Sequence, residues 1–327
     1  MGGARSGGSV LCYHGITLRE LSASSVVHVP LNELIATMKF LQRTRKIVPL
    51  QDLVRRQAAG ERTTGLAAVT FDDAYAGLLC GAAEFLLREQ IPITLFVVTD
   101  AAIRGERFWW DRIDDAFPCV TRKRWHEFEC AVCLPEAYRR GQPPGLGPVR
   151  PLRQWILSEH RGRWPAALEP ALRRLETDAG VQTAQRSMTF EEIDQLAASP
   201  LVDVGVHTRS HPVLPLLADG EAEQEIADCY DALRARYPRA VPLLAVPFGL
   251  FDPRTLALAR KAGMNASLIL GNATLARAFP GGPVPRFVMT AGERAWRIEL
   301  KTIGVLERFR LRRRGALQYP ALPSPTT

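Results

Sequence analysis

The sequence predicts an α/β protein, a barrel-like ring of about seven β/α steps interrupted by one large insertion. Short apolar runs of strand length alternate with helical apolar patterns through residues 9–98 and again through 187–290. Between about 103 and 186 that alternation stops. The residues richest in chemistry stand just behind the predicted strands, where β/α barrels carry their sites.

Each element follows in chain order. Ser9–Tyr13 is a short apolar strand, and Leu31–Thr44 carries Leu31, Leu34, Ile35, Met38 and Leu41 at helical spacing. Gly65–Phe71 is a second apolar run that ends in Asp72 and Asp73. Tyr75–Gln90 reads as a helix, and Ile93–Val98, after Pro92, as a buried β-branched strand. Strand, helix and strand at these distances form the unit of a mostly parallel sheet. From about Ile103 to Arg186 the chain accumulates Trp, Arg and Pro, with a loop-like stretch at Gly141–Pro151 and a helical pattern at Leu168–Asp178. This reads as an insertion packed over the sheet or its mouth. Alternation resumes with a helix over Phe190–Ala198, where Thr189 is the N-cap and Glu192 completes a capping box. A strand at Leu201–Val206, a helix at Glu221–Tyr237, a strand at Leu243–Val246 and a helix at Pro253–Ala262 follow, then strands at Ala266–Ile269 and Arg286–Met289. The expected organisation is one domain over residues 1–310, with residues 311–327 as a basic, proline-rich tail.

Composition narrows the class. Of 327 residues, 46% are hydrophobic and 23% charged, which fits a globular chain rather than a disordered one. No stretch reaches the roughly 18 uninterrupted apolar residues of a membrane span. The N-terminus lacks an apolar segment before Leu11, so the expected location is cytoplasmic. Six scattered cysteines then read as reduced thiols. The net charge of +8 is diffuse apart from five arginines between Arg308 and Arg314. That run is either a solvated face or a peripheral contact to anionic lipid, nucleic acid or a polyanionic substrate, and no nucleic-acid-binding motif accompanies it.

Two constellations carry chemistry. Val69-Thr70-Phe71-Asp72-Asp73-Ala74 puts two adjacent carboxylates at a strand end. Like charges so close raise each other's pKa, so the pair can divide its roles between metal ligand and base; a solvent-facing turn or helix cap is the plain alternative. His207-Thr208-Arg209-Ser210-His211 follows the strand ending at Val206 and places two imidazoles within reach of one ion. One carboxylate and two imidazoles are the ligand set of a catalytic zinc site with open positions.

These motifs resemble those of the polysaccharide deacetylases, the family 4 carbohydrate esterases. Thr70-Phe71-Asp72-Asp73-Ala74 resembles T-F-D-D-G, and His207 to His211 resembles H-S/T-x-x-H. Ala245-Val246-Pro247-Phe248-Gly249 is similar to a weakened R-x-P-Y motif, and Leu11-Cys12-Tyr13-His14 to the opening of one branch of the family. The similarity spans roughly residues 10–100 and 187–290. It implies a distorted (β/α) barrel with one divalent metal, zinc foremost, held by Asp73, His207 and His211. Asp72 would be the general base, and the backbone N–H of Phe248 would hold the oxyanion.

The sequence also departs from the family pattern. The arginine of the third motif is missing, and Arg286 in Pro283-Val284-Pro285-Arg286-Phe287 is the candidate replacement, against a plain surface role. No histidine follows His211, so the family's late general acid is missing too, and His14 is the candidate for that part, against a structural bond to the turn at Gly15. Phe108-Trp109-Trp110-Asp111 suits either stacking against a sugar or anchoring the insertion. Cys119, His126, Cys130 and Cys133 offer a second, structural zinc site on weak spacing. The expected function is removal of N-acetyl, less readily O-acetyl, groups from an amino-sugar unit of a glycan or glycolipid precursor. The competing readings are a formamide or cyclic-imide hydrolase on the same metal site and a catalytically weak carbohydrate-binding protein.

Overall fold

The computed structural model describes residues 7–18, 27–139, 149–180, 185–271, 273–275, 282–293 and 295–302. The basic, proline-rich tail and the stretch 141–148 of the expected loop lie outside the described residues.

The first half contains β1 (Ser9–Tyr13), β2 (Ile16–Thr17), β3 (Val29–Pro30), α1 (Leu31–Thr44), β4 (Lys46–Ile47), α2 (Leu50–Ala58), β5 (Leu66–Phe71), α3 (Ala82–Arg88), β6 (Ile93–Val97) and α4 (Thr99–Arg104). The insertion holds α5 (Trp109–Ala116), α6 (Arg122–Ala131), α7 (Glu136–Arg139), α8 (Val149–Glu159) and α9 (Glu169–Ala179). The second half contains α10 (Phe190–Ala197), β7 (Val202–Val206), α11 (Asp219–Arg236), β8 (Ala240–Ala245), α12 (Pro253–Lys261), β9 (Ala266–Leu270), β10 (Val284–Val288) and α13 (Ala295–Thr302).

Seven parallel strands close into a barrel in the order β1-β10-β9-β8-β7-β6-β5, with β5 pairing back onto β1. The short β4 lies beside the start of β5. Closure leaves each barrel strand two hydrogen-bonded neighbours, which explains why they read as near-continuous apolar runs.

Strand periodicity sorts their side chains into two sets. Leu11, Tyr13, Ala67, Val69, Phe71, Leu95, Val97, Val204 and Val206 pack outward with the helices. Val10, Ala68, Phe96, Leu243, Ala245, Leu268 and Val284 pack inward, against Leu50 and Leu53 of α2. Gly205 belongs to the inward set of β7, and a Cβ there would stand 2.6 Å from the Phe96 ring. Glycine is what lets that large ring fill the barrel.

Local signals set the helix ends. Thr189 and Glu192 form the expected capping box at α10. Asp252 accepts from the Thr255 backbone N–H at 2.6 Å to start α12, with Pro253 in the first turn. The helix expected over Tyr75–Gln90 is instead a 3-10 turn (Ala76–Leu79) followed by α3. Gly77 presses against the Ile16 carbonyl, where a Cβ would lie 2.1 Å from the oxygen, and Gly81 has φ +91°. A continuous helix does not accommodate either feature.

The insertion is more helical than its sequence suggested. It has its own core of Trp109, Ile113, Trp125, Phe128, Trp155, Ile156, Leu172 and Leu175. Burying each of these large side chains stabilises by about 2–3 kcal/mol. Arg112 ties α5 to α9 through Glu169 and Glu176.

Candidate active site

The inward set continues past the strand ends and builds the site. Val10 and Cys12 lead to His14, Ala68 and Thr70 to Asp72, and Asp203 and Gly205 to His207. All three lines converge at the C-terminal mouth of the barrel. Arg286 occupies an inward position in the middle of β10, two residues after Val284.

The loops around this mouth are strained. Eight non-glycine residues among those described have positive φ, and five of them are Asp73, Ala74, Thr208, His211 and Phe248. Side chains with a Cβ seldom adopt that region, and such strain concentrates where side chains must be aimed. Ala74, with φ +49°, stands where the resembling motif has glycine.

Asp73, His207 and His211 place one ligand atom each within 4.8 Å of one another. His207 Nδ1 lies 2.7 Å from the Ala245 carbonyl, so that nitrogen donates there and Nε2 is the atom turned toward Asp73. His207 Nε2 and His211 Nε2 stand 3.5 and 3.4 Å from Asp73 Oδ1. Asp73 Oδ1 is buried with no hydrogen-bond partner among the described residues. An orphaned anionic oxygen facing two imidazole nitrogens fits a cation and fits little else. Burial pushes His211 down to about 3, leaving it neutral and able to ligate. Burial pulls His207 the same way, but the neighbouring Asp73 and Asp72 carboxylates outweigh it and favour its protonated form.

Glu225, on α11, braces the histidine loop. Its carboxylate is buried and accepts from Ser210 N and Ser210 Oγ, both at 2.8 Å, while its backbone carbonyl accepts from Arg209 N. Sequence reading passed over this residue, which looks like one more acid on an amphipathic helix.

Asp72 is held from below. Arg286 donates Nη1 to Oδ1 at 2.6 Å and Nη2 to Oδ2 at 2.7 Å. Burial acts to raise the Asp72 carboxyl, but the Arg286 guanidinium beside it, with His207, holds it well below the usual carboxylate range. Arg286 has no exposed surface, and its guanidinium lies 5.5 Å from the Phe96 ring centroid. A surface role for Arg286 is therefore excluded. Cys12, another inward residue not foreseen as part of the site, donates its thiol to Asp72 Oδ2 at 3.4 Å. The parity of β1 and β10 was the signal for both positions.

His14 lines the same cavity as Asp72, Asp73, His207 and His211. A ligand-capable nitrogen of His14 and a carboxylate oxygen of Asp72 lie within 4.8 Å. Its Nδ1 has no partner among the described residues, so the alternative bond to the Gly15 turn is not seen there. Burial lowers its pKa from the ordinary imidazole value.

The cavity is about 220 Å³ and is lined on the barrel side also by Val246, Phe248 and Leu270. The Phe248 ring meets His211 edge-on at 4.4 Å. Gly162 makes room for that ring, since a Cβ there would stand 2.7 Å from it. The other wall comes from the insertion. Trp109 anchors it by donating to the Gly162 carbonyl, whereas the half-buried Trp110 lies against His211 and Phe248. The Phe-Trp-Trp motif thus divides between anchoring and lining. Cys119, His126, Cys130 and Cys133 do not assemble a site among the described residues; the Cys130 Sγ to His126 Nε2 separation is 3.8 Å and all three cysteines are exposed.

A family model for polysaccharide deacetylases matches residues 168–267, which include the two histidines and the Phe248 turn. Solved structures share the fold along nearly the whole chain. A Streptococcus pyogenes deacetylase in complex with acetate is 12% identical, with 90% of this chain and 97% of that one covered and a TM-score of 0.57. IcaB from Ammonifex degensii is 17% identical over 91% and 97%, with a TM-score of 0.58. A de-N-acetylase from Aggregatibacter actinomycetemcomitans is 13% identical over 90% and 99%, with a TM-score of 0.54. The curated proteins gave no sequence match. The family model over residues 168–267 and the shared fold make the chain similar to the polysaccharide deacetylases. Among the described residues no helix is long and apolar enough to cross a membrane.

Proposed function

We propose that this chain is a metal-dependent deacylase that removes N-acetyl groups from an amino-sugar unit of a glycan or glycolipid precursor. The observation that carries the reading is the meeting of an orphaned Asp73 oxygen, two imidazoles and an ionised Asp72 at one barrel mouth. Asp73, His207 and His211 would hold a single divalent ion, zinc by their donor chemistry. Such an ion supplies Lewis acidity toward the acyl carbonyl and toward water.

The remaining chemistry belongs to side chains. Asp72 stays ionised at neutral pH and accepts the proton of the attacking water. Arg286 uses one lone pair on each Asp72 oxygen and the Cys12 thiol takes the other on Oδ2, so Oδ1 retains one for that proton. The backbone N–H of Phe248 faces the developing oxyanion. His14, with a nitrogen within 4.8 Å of an Asp72 oxygen, would receive the proton through a water and pass it to the departing amine nitrogen, which leaves as the free amino sugar. An ionised carboxylate held by a buried Arg286 beside the ligand set is placed to accept a proton, a service that a protein that only binds sugar does not need.

The test measures metal per chain together with acetate released from acetylated amino sugars. About one ion per chain, lost in His207→Ala, and acetate release lost in Asp72→Asn with metal retained, would support the reading. A metal-loaded protein that deacylates no acetylated amino sugar would refute it.

A further inference from the structure

The catalytic cavity has a second, charged wall that the reaction does not use. Asp114 and Arg153 both line it, one from α5 and the other from α8 of the insertion. Arg153 Nη2 donates to Asp114 Oδ2. Asp114 is buried, and burial pushes its carboxyl up to about 6 even against the pull of Arg153. Placing a carboxylate there opposes desolvation, and the insertion core next to it is apolar, so packing does not require one.

The position of the pair is fixed. Asp111, one helical turn before Asp114, accepts from Tyr75 Oη at 2.5 Å and sits 2.8 Å from His28 Nε2. Tyr75 follows the Asp73 loop by two residues, so this buried knot locks α5 to the metal-ligand loop. Trp110 donates to Tyr75 Oη at 3.0 Å and completes it. Asp114 is then carried on a rigid helix that faces the cavity. Arg153 is about two-fifths exposed, and its Nε is buried without a partner among the described residues.

We infer that the Asp114–Arg153 pair is the sugar-recognition element of the site: it hydrogen-bonds ring hydroxyls of the unit whose acylamino group is presented to Asp72. This rests on the deacylase reading above. A guanidinium beside a carboxylate offers donors and acceptors side by side, which is what neighbouring hydroxyls need. The half-buried Trp110 and Leu157, which also line the cavity, offer apolar surface to the C–H face of the ring.

Steady-state kinetics on tri-N-acetylchitotriose would test this with Arg153→Ala and, as a second variant, Asp114→Asn. The expected result is a KM raised about tenfold, with kcat within threefold, in both variants, and unchanged metal content. A fall in kcat at constant KM, or no change in either constant, would overturn the inference. Wild-type turnover of 4-nitrophenyl acetate, an ester without a sugar, separates the two levels of failure. If the ester is cleaved and no acetylated sugar is, the amino-sugar reading falls and this inference with it. If acetylated sugars are cleaved and the variants keep wild-type KM, only the inference falls.

Discussion

Arg286 and Asp72, 214 residues apart in sequence, are joined inside the barrel by two parallel hydrogen bonds of 2.6 and 2.7 Å. Both groups are buried, so each makes the other tolerable there. Arg286→Ala leaves the carboxylate uncompensated and is expected to cost about 3–5 kcal/mol. Arg286→Lys keeps the charge but lacks the planar fork, so a partial loss of stability and about a 10–100-fold loss of kcat are expected. Asp72→Asn combined with Arg286→Met removes both charges and should regain much of the stability with no activity. Urea unfolding of these variants and of the single changes Asp72→Asn and Arg286→Met checks this; additive losses in the double variant would mean the pair is not coupled. The folded Asp72 carboxyl titrates below its unfolded value. The pair therefore stabilises fully above about pH 4, and its contribution fades as pH falls further.

The Asp73 oxygen makes a separate prediction. With no partner for it among the described residues, Asp73 is aimed at the space between the two imidazoles. Asp73→Ala, His207→Ala and His211→Ala should each lower zinc affinity by at least a hundredfold, read by competition with a chromogenic chelator. Glu225→Ala, which frees the histidine loop, should lower it by about 10–100-fold. Equal zinc affinity in wild type and Asp73→Ala would remove Asp73 from the ligand set.

How much of this was legible beforehand depends on the range of the signal. The barrel strands were readable because closure buries both faces and leaves unbroken apolar runs such as Ile93–Val97. The paired motifs were readable because Asp72, Asp73, His207 and His211 lie within single loops. Arg286 could be named but not placed, since its partner follows β5, which closure of the sheet brings within one strand of β10. Its neighbours Val284 and Phe287 read equally well as either face until the register with β9 is known. The insertion was read as only partly helical because α6 offers two large apolar contacts, Trp125 and Phe128, in ten residues, and α8 carries a proline in its first turn. Their helicity comes from a shared core that no single segment reveals. Asp114 and Arg153 were missed for the same reason.

Ala74 tests the strain in the first loop. Its φ of +49° disfavours any residue with a Cβ by roughly 1–2 kcal/mol. Glycine removes that strain but gains freedom when unfolded, which offsets about 1 kcal/mol. Ala74→Gly should therefore leave stability unchanged or raise it by up to about 1 kcal/mol, with activity kept within twofold. Ala74→Val, whose branched side chain resists this conformation further, should destabilise by more than about 2 kcal/mol. Thermal melts of both variants decide it, and a clear loss of stability in Ala74→Gly would mean the methyl group packs more than it strains.

The two imidazoles should respond differently to pH. His211 is pushed down to about 3 by burial, so it carries no proton to be displaced near neutrality. His207 is shifted upward by Asp73 and Asp72 in spite of its burial, so above the ordinary imidazole value a proton competes for Nε2. As pH falls through that value the proton increasingly occupies the lone pair that a metal needs, and affinity drops. Between about pH 8 and about pH 6, zinc affinity is expected to weaken, approaching tenfold per pH unit below the His207 value. At about pH 6 binding should release about one proton per ion, not two, because only one of the imidazoles is protonated beforehand. Calorimetry in buffers of different ionisation enthalpy counts that proton. Two protons released would mean that His211 is charged as well, and a flat affinity over this range would mean that His207 binds the ion without losing a proton.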